Sequence, residues 1–177
     1  LPTTTADPHF RAQVLHARGS TRLRRGAFAD GGRDFDASLA LLDDGAPLQR
    51  GLALVGRGNA RVAAHRFEEA LADFGAARVA LETSGDALGV ARVDANIGML
   101  ELYRGRPAEA FGYLGGAADQ FQSFGALHEL LLTLTGIVDA KLSLLQRDDA
   151  WTAVERGWAL RERVTDPDQR VDLMLNR

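Results

Sequence analysis

The residues that come closest to a nucleotide-binding motif form the segment GRGNAR at residues 56–61. A glycine-rich loop of this kind lets the backbone approach a pyrophosphate when it follows a strand and opens a helix. Here the third glycine is missing, no strand pattern precedes the segment, and the segment lies within a helical pattern. We therefore interpret its glycines as small residues for close helix packing, and we predict no cofactor.

Other side chains with catalytic or metal-binding chemistry are scattered. Asp30, Asp34 and Asp36 could suggest a metal site, but no calcium-loop spacing follows them, and we interpret them as a solvated helix face. The four histidines lie in different segments, and the chain contains no HExxH motif, GxSxG elbow or P-loop. We predict no catalytic residue and no metal ligand, so an enzyme is the least favoured function.

The bulk composition limits the remaining classes of function. The 177 residues carry a net charge of -3, which gives no overall basic excess to attract nucleic acid or an anionic membrane. There are no cysteines, so disulfides and zinc–sulfur sites are excluded. No apolar run reaches the roughly 18 residues that span a bilayer. We expect a cytoplasmic location and, because the chain begins at Leu1, a piece of a longer protein.

An internal repeat organises the chain. Four segments align without gaps, and they start at Gly19, Gly58, Gly98 and Val138, spaced by 39, 40 and 40 residues. A small residue recurs at the start, with Val138 as the exception, and again twelve and nineteen residues later, with a large apolar residue sixteen residues after the start. Antiparallel helices approach closely only where side chains are small, so this pattern predicts packed helix pairs.

Turn and capping residues place the helices. Gly26 and Gly105 suit the positive φ at a helix C-terminus, and Asp7-Pro8 reads as an N-cap followed by a first-turn proline. The predicted helix pairs cover about 8–25 and 28–43, 48–64 and 67–83, 87–104 and 107–123, and 126–146 and 148–164. A terminal helix is predicted over 166–177.

The repeated positions resemble the tetratricopeptide repeat (TPR) family, as in Gly58, Ala70, Phe74 and Ala77. The period is about 40 residues and not 34, and the family's usual tryptophan, tyrosine and proline are missing. Long repeats of this sort are similar to those of bacterial signalling proteins and large transcriptional activators. The resemblance implies an all-α, TPR-like superhelical solenoid of antiparallel helix pairs. It would form a single domain over 1–177, with repeats at about 8–43, 48–83, 87–123 and 126–164.

In such a solenoid the first helix of each pair lines a concave groove that binds an extended peptide or a helix. Asn59 and Asn96 match places where peptide-binding members hold a ligand's backbone, although either could instead cap or bridge helices. Val55, Leu132 and Gly136 occupy the places of a carboxylate clamp and cannot supply its charge. The predicted groove residues are His16, Ser20, Val55, Asn59, Arg92, Asn96, Met99, Tyr103, Thr135 and Asp139.

The resemblance implies a scaffold or sensor module that binds a protein or peptide segment. The alternative is a regulatory domain of a LuxR-type or antibiotic-regulator-like activator, which couples ligand or partner binding to a separate ATPase or DNA-binding module. We expect neither direct nucleic-acid binding by this segment nor membrane association. Exposed apolar ends of the solenoid could form a homodimer.

Overall fold

A computed structural model describes residues 7–160, all in helices and short connections. Its eight helices, with no strand among the described residues, are α1 (Pro8–Arg24), α2 (Phe28–Leu39), α3 (Pro47–Ala63), α4 (Phe67–Ser84), α5 (Ala87–Tyr103), α6 (Pro107–Phe124), α7 (Leu127–Ser143) and α8 (Arg147–Ala159). The predicted pairs are confirmed. The predicted terminal helix over 166–177 lies outside the described residues.

Contacts between Cα atoms divide the chain into two compact units, Leu1–Val90 and Ala91–Arg177. In the first unit α1 packs on α2, α2 on α3 and α3 on α4, and α1 also touches α3. In the second unit α6 packs on α7 and α7 on α8. The single domain over 1–177 stays a prediction. Within residues 7–160, no helix is both long enough and apolar enough to cross a bilayer.

Close approach at glycine joins the two helices of a pair. A Cβ added to Gly58 would lie 2.5 Å from Cε1 of Phe74, and one added to Gly98 would lie 2.6 Å from Cγ of Leu114. Gly19 faces Phe35 in the same way, at 3.1 Å. The three large side chains are completely buried. Each ring or branched side chain therefore fills the space that the glycine leaves open, as the repeat pattern predicts.

Glycines also join successive repeats within a unit. A Cβ on Gly56 of α3 would overlap the ring of Phe35 in α2, and a Cβ on Gly136 of α7 would lie 3.1 Å from Leu114 in α6. Phe35 and Leu114 thus contact a glycine of their own pair and a glycine of the next first helix. The same large residue therefore fixes both the pair and the step to the next repeat.

The turn inside each helix pair has one residue with positive φ. Gly26 and Gly105 have φ of 77° and 72°, as predicted. The equivalent residues of the second and fourth pairs are His65 and Leu145, with φ of 57° and 60°. A residue other than glycine is disfavoured in this left-handed region, because its Cβ crowds the following carbonyl oxygen.

Helix α2 is shorter than predicted. It ends at Leu39 and not near residue 43, and Leu42 then turns inward and is buried with Ala12 of α1 and Ala46. Pro47 begins α3, and the residue before a proline is disfavoured in the helical region. The inward turn of Leu42 accompanies the early end of α2, and Pro47 sets the start of α3. Helix α7 likewise ends at Ser143, three residues before its predicted end at 146.

We predict that Gly58→Ala lowers the free energy of unfolding by about 1–3 kcal/mol, because the new methyl group would overlap the buried ring of Phe74. Urea denaturation followed by circular dichroism measures this change. The matched control is Gly75→Ala in α4, where a Cβ meets nothing within 4 Å. The control should gain about 0.5–1 kcal/mol from helix propensity. Equal effects of the two substitutions would contradict the packing account.

We predict that Leu145→Gly raises the free energy of unfolding by about 0.5–1 kcal/mol, because it relieves the positive φ at the cost of a more flexible unfolded chain. The side chain is 81% exposed, so its removal costs little packing. Leu145→Ala is the control, because it removes the side chain and keeps the strain. A gain as large for alanine as for glycine would show that the left-handed backbone is not the cause.

Candidate partner-binding surfaces

The predicted groove residues lie on the first helices of the pairs. In the first unit they form a surface on α1 and α3, here called the first surface, with His16, Ser20, Val55 and Asn59. Ser20 and Asn59 are 39 residues apart and occupy the same repeat position, as do His16 and Val55. Asn59 is exposed and the other three are partly exposed. Their side chains are therefore accessible to a partner.

An open hollow of about 240 Å³ lies beside His16 on the first surface. The imidazole ring packs edge-on against Phe35, with 5.5 Å between ring centroids. Burial lowers the pKa of His16, although a hydrogen bond with the backbone of Leu52 opposes the shift. The side chain of Leu52 is 40% exposed at the same hollow. The hollow therefore presents an apolar wall and an imidazole that favours its neutral form.

In the second unit the predicted residues lie on α5 and α7, here called the second surface. Met99 and Asp139 share the repeat position of Asn59, and Thr135 shares that of Val55. An open hollow of about 210 Å³ between α7 and α8 is lined by Thr135, Asp139 and apolar side chains that include Leu134 and Leu142. This part of the second surface is thus an apolar trough with a hydroxyl and a carboxylate at its edge.

Three predicted groove residues, Arg92, Asn96 and Tyr103, lie at other repeat positions than Val55 and Asn59. Asn96 is 40 residues from both Gly56 and Gly136, which are helix-packing glycines. Tyr103 lies one residue beyond Leu102, the residue 40 before Leu142 on the trough. Tyr103 lies four residues after Met99, about one helical turn, and so continues the same helix face. Asn96 lies one residue, or about 100°, beyond Ala95, which shares the repeat position of Val55. Their role in binding stays a prediction.

Arg92 is already paired in the second unit. Its guanidinium donates to Oε1 of Glu129 on α7 at 3.1 Å through Nε and at 2.5 Å through Nη2. Burial raises the pKa of Glu129 and the bond from Arg92 lowers it, with a net shift downward. A ligand that used Arg92 would therefore compete with an existing ion pair between two first helices.

Sequence reasoning missed a repeated ion-pair network in the first unit. Asp34 is 3% exposed, not solvated as predicted, and its two carboxylate oxygens accept bonds from Arg18 and Arg22 at 2.6–3.0 Å. Asp73 has the same burial and is held by Arg57 and Arg61 at 2.6–3.0 Å.

The sequence does carry a signal for this network. The pair Asp-Phe recurs at 34–35 and 73–74, and arginines recur four residues apart at 18 and 22 and at 57 and 61. Arginines one helical turn apart lie on one face and can grip a single carboxylate from two sides. The second unit has Tyr113 and Ala153 at the aspartate position.

Comparison with solved structures identifies the fold. No family model matches the sequence, and no curated protein sequence matches it significantly. The structure is similar to that of aspartyl phosphate phosphatase F from Bacillus subtilis, with a TM-score of 0.88 at 14% identity, over 96% of this chain and 45% of that one. The fold is a TPR-like helical repeat.

Two further structures share this fold. The apo form of RapI matches with a TM-score of 0.84 at 13% identity, over 96% of this chain and 47% of that one. BtubC from P. vanneervenii matches with a TM-score of 0.81 at 15% identity, over 92% of this chain and 67% of that one. This chain spans less than half the length of the first two proteins. The predicted all-α repeat fold is confirmed.

We predict that Asp34→Asn lowers the free energy of unfolding at pH 7 by about 1–3 kcal/mol, because it replaces a buried, charge-assisted carboxylate. The bond from Arg18, with Arg22 beside it, lowers the pKa of Asp34. The stabilisation is therefore fully present above the unfolded pKa of about 3.9 and is lost as pH falls through the lower folded value.

Urea titrations from pH 7 to pH 2 measure this dependence. The difference between the wild type and Asp34→Asn should shrink in the acid range below about pH 4. The control is the exposed Asp44→Asn, for which a change within about 0.5 kcal/mol is expected. A difference that does not vary with pH would show that the charge of Asp34 contributes nothing.

Proposed function

We propose that this chain is a protein-binding helical-repeat module that holds an extended peptide or a helix on its first-helix surfaces. The observation that carries the proposal is the composition of those surfaces. On the first surface the exposed Asn59 accompanies Leu52, and on the second surface Thr135 and Asp139 accompany Leu132 and Leu142, which are 57% and 50% exposed.

This mixture of exposed apolar and polar side chains suits the binding of a peptide. Exposed leucines supply apolar contacts for alternate side chains of a ligand, and an amide such as that of Asn59 both donates to and accepts from a peptide group. The hollows beside His16 and Thr135, of about 240 and 210 Å³, are open to solvent. A bound segment would therefore gain both packing and backbone recognition on the same face.

We also propose that the chain acts by binding and not by catalysis. One structural neighbour is named as an aspartyl phosphate phosphatase, so hydrolysis is the obvious competing idea. Asp34 and Glu129 are carboxylates with lowered pKa values, and each accepts a hydrogen bond from an arginine. Lowered values of this kind are those of structural ion pairs, whereas a general acid needs a raised pKa.

The regulatory-domain alternative, in which binding is coupled to an ATPase or DNA-binding module, is compatible with this proposal. Binding would then be the input of a larger protein. That alternative, the cytoplasmic location and the homodimer stay predictions.

A selection from a random-peptide phage library on the immobilised chain tests the proposal. Selected peptides are then titrated by fluorescence anisotropy against the wild type and against the double variant Leu52→Asp/Asn59→Ala. We expect the double variant to weaken the peptides of the first surface by about tenfold or more, because a central apolar contact is worth at least about 1.4 kcal/mol.

The control variant is Val79→Asp, which introduces the same charge at a valine that is 64% exposed on the second helix α4. Its affinity should stay within about twofold of the wild type, since residues outside a contact contribute little. The parallel variant Leu132→Asp/Asp139→Ala examines the second surface. Selected peptides that bind every variant as tightly as the wild type would contradict the proposal.

A further inference from the structure

A pocket between α2 and α3 lies apart from the predicted groove residues. Its volume is about 320 Å³, at the lower end of the range for ligand sites. Its lining includes four arginines, one carboxylate and one aromatic ring, namely Arg33, Arg57, Arg61, Arg66, Asp36 and Phe28. We call it the arginine pocket. Four guanidinium groups and one carboxylate thus meet in the lining, and each guanidinium is already paired with a carboxylate of the chain.

The back of the pocket is rigid. The carboxylate of Asp73 accepts hydrogen bonds from Nε and Nη2 of Arg57 at 3.0 and 2.7 Å. Nη1 of Arg61 lies 2.6 Å from the same carboxylate. The side chains of Arg57 and Arg61 are only 23% and 20% exposed, and their bonds to Asp73 hold the guanidinium groups in place before any ligand arrives. Fixed donors lose little conformational entropy on binding, which favours recognition of an anion.

The third guanidinium nitrogen of Arg57, Nη1, donates to a carboxylate that a partner can replace. Its Nη1 lies 2.9 Å from Oδ1 of Asp36, whose side chain is 60% exposed. Arg33 pairs with Asp30, and Arg66 pairs with Glu69, in exposed ion pairs at the rim. Exposed pairs of this kind contribute little to stability and exchange readily. Asp36 thus occupies the place on Arg57 that an incoming carboxylate would take.

The arginine pocket also has an apolar wall. Phe28 is 42% exposed, and the adjoining wall consists of small residues, where a Cβ on Gly32 would lie 3.6 Å from Cβ of Ala60. An acidic side chain can therefore reach the arginines while a neighbouring apolar or aromatic side chain contacts Phe28. This combination favours a peptide segment over a uniformly charged polymer.

The site belongs to the first unit only. The residues 40 positions after Arg57, Arg61 and Asp73 are Ile97, Glu101 and Tyr113. The second unit therefore cannot repeat the arrangement. We propose that the arginine pocket receives an acidic side chain from a partner protein, within a peptide segment that also carries an apolar or aromatic residue beside the acid.

This inference rests on the proposed function, and it adds a second contact site and the charge of the partner. The probe is a fluorescein-labelled peptide of sequence GEDFEDLG, with GQNFQNLG as its uncharged counterpart. Anisotropy titrations at low and high salt use the wild type, Arg33→Gln/Arg66→Gln and Asp36→Asn. The control is Arg78→Gln, which removes an arginine from an exposed pair with Glu82 on α4.

We expect the acidic peptide to bind the wild type, with an affinity that falls as salt rises. The Arg33→Gln/Arg66→Gln variant should bind about tenfold more weakly, and Asp36→Asn should bind a few-fold more tightly because Arg57 is released. Arg78→Gln should stay within about twofold, and the uncharged peptide should not bind measurably. Circular dichroism confirms that each variant is folded.

Equal weakening by Arg33→Gln/Arg66→Gln and Arg78→Gln would overturn the inference, because it would show attraction by general charge. Weaker binding by Asp36→Asn, or tighter pocket-dependent binding of a single-stranded RNA of equal charge, would also overturn it. The variant Leu52→Asp/Asn59→Ala, tested with library peptides, separates the two proposals. If it loses those peptides while the acidic peptide fails to bind the wild type, only the arginine pocket is wrong.

Discussion

The contact of a glycine with a large buried side chain is the interaction on which this fold depends. Gly19, Gly58 and Gly98 let a second helix approach until Phe35, Phe74 or Leu114 touches the helix backbone. Helix pairs that are amphipathic and short gain most of their stability from such packing and not from intrinsic propensity. Because the large residue also meets the next first helix in each unit, the same contact builds both the pair and the repeat.

That geometry decides which side chains can recognise a partner. Small residues are committed to helix contacts, so the outward positions of the first helices are left for Asn59, Leu52, Thr135 and Asp139. In the first unit, the arginines that grip Asp73 also point into the space between α2 and α3. Structural ion pairing and a candidate recognition site therefore share the same guanidinium groups.

The sequence was sufficient for the helices and insufficient for several side-chain roles. Period, capping and glycine placement predicted all eight described helices, because each depends on local chemistry. The early end of α2 was missed because it accompanies the burial of Leu42 against Ala12, a contact between distant residues. Asp34 was misread for the same reason, since only tertiary structure shows that two arginines cover it. Asn96 occupies the repeat position of the packing glycines Gly56 and Gly136, and its predicted role in the groove stays a prediction.

The most direct test of the account is a double-mutant cycle between Gly58→Ala and Phe74→Ala, measured by urea denaturation. Alanine lacks the ring atoms Cδ1, Cε1 and Cζ that the added methyl group would meet. We expect the double variant to be more stable than the sum of the single changes predicts, by about 1–2 kcal/mol. Additive effects, within about 0.3–0.5 kcal/mol, would show that the two residues are not in contact and would contradict the central claim.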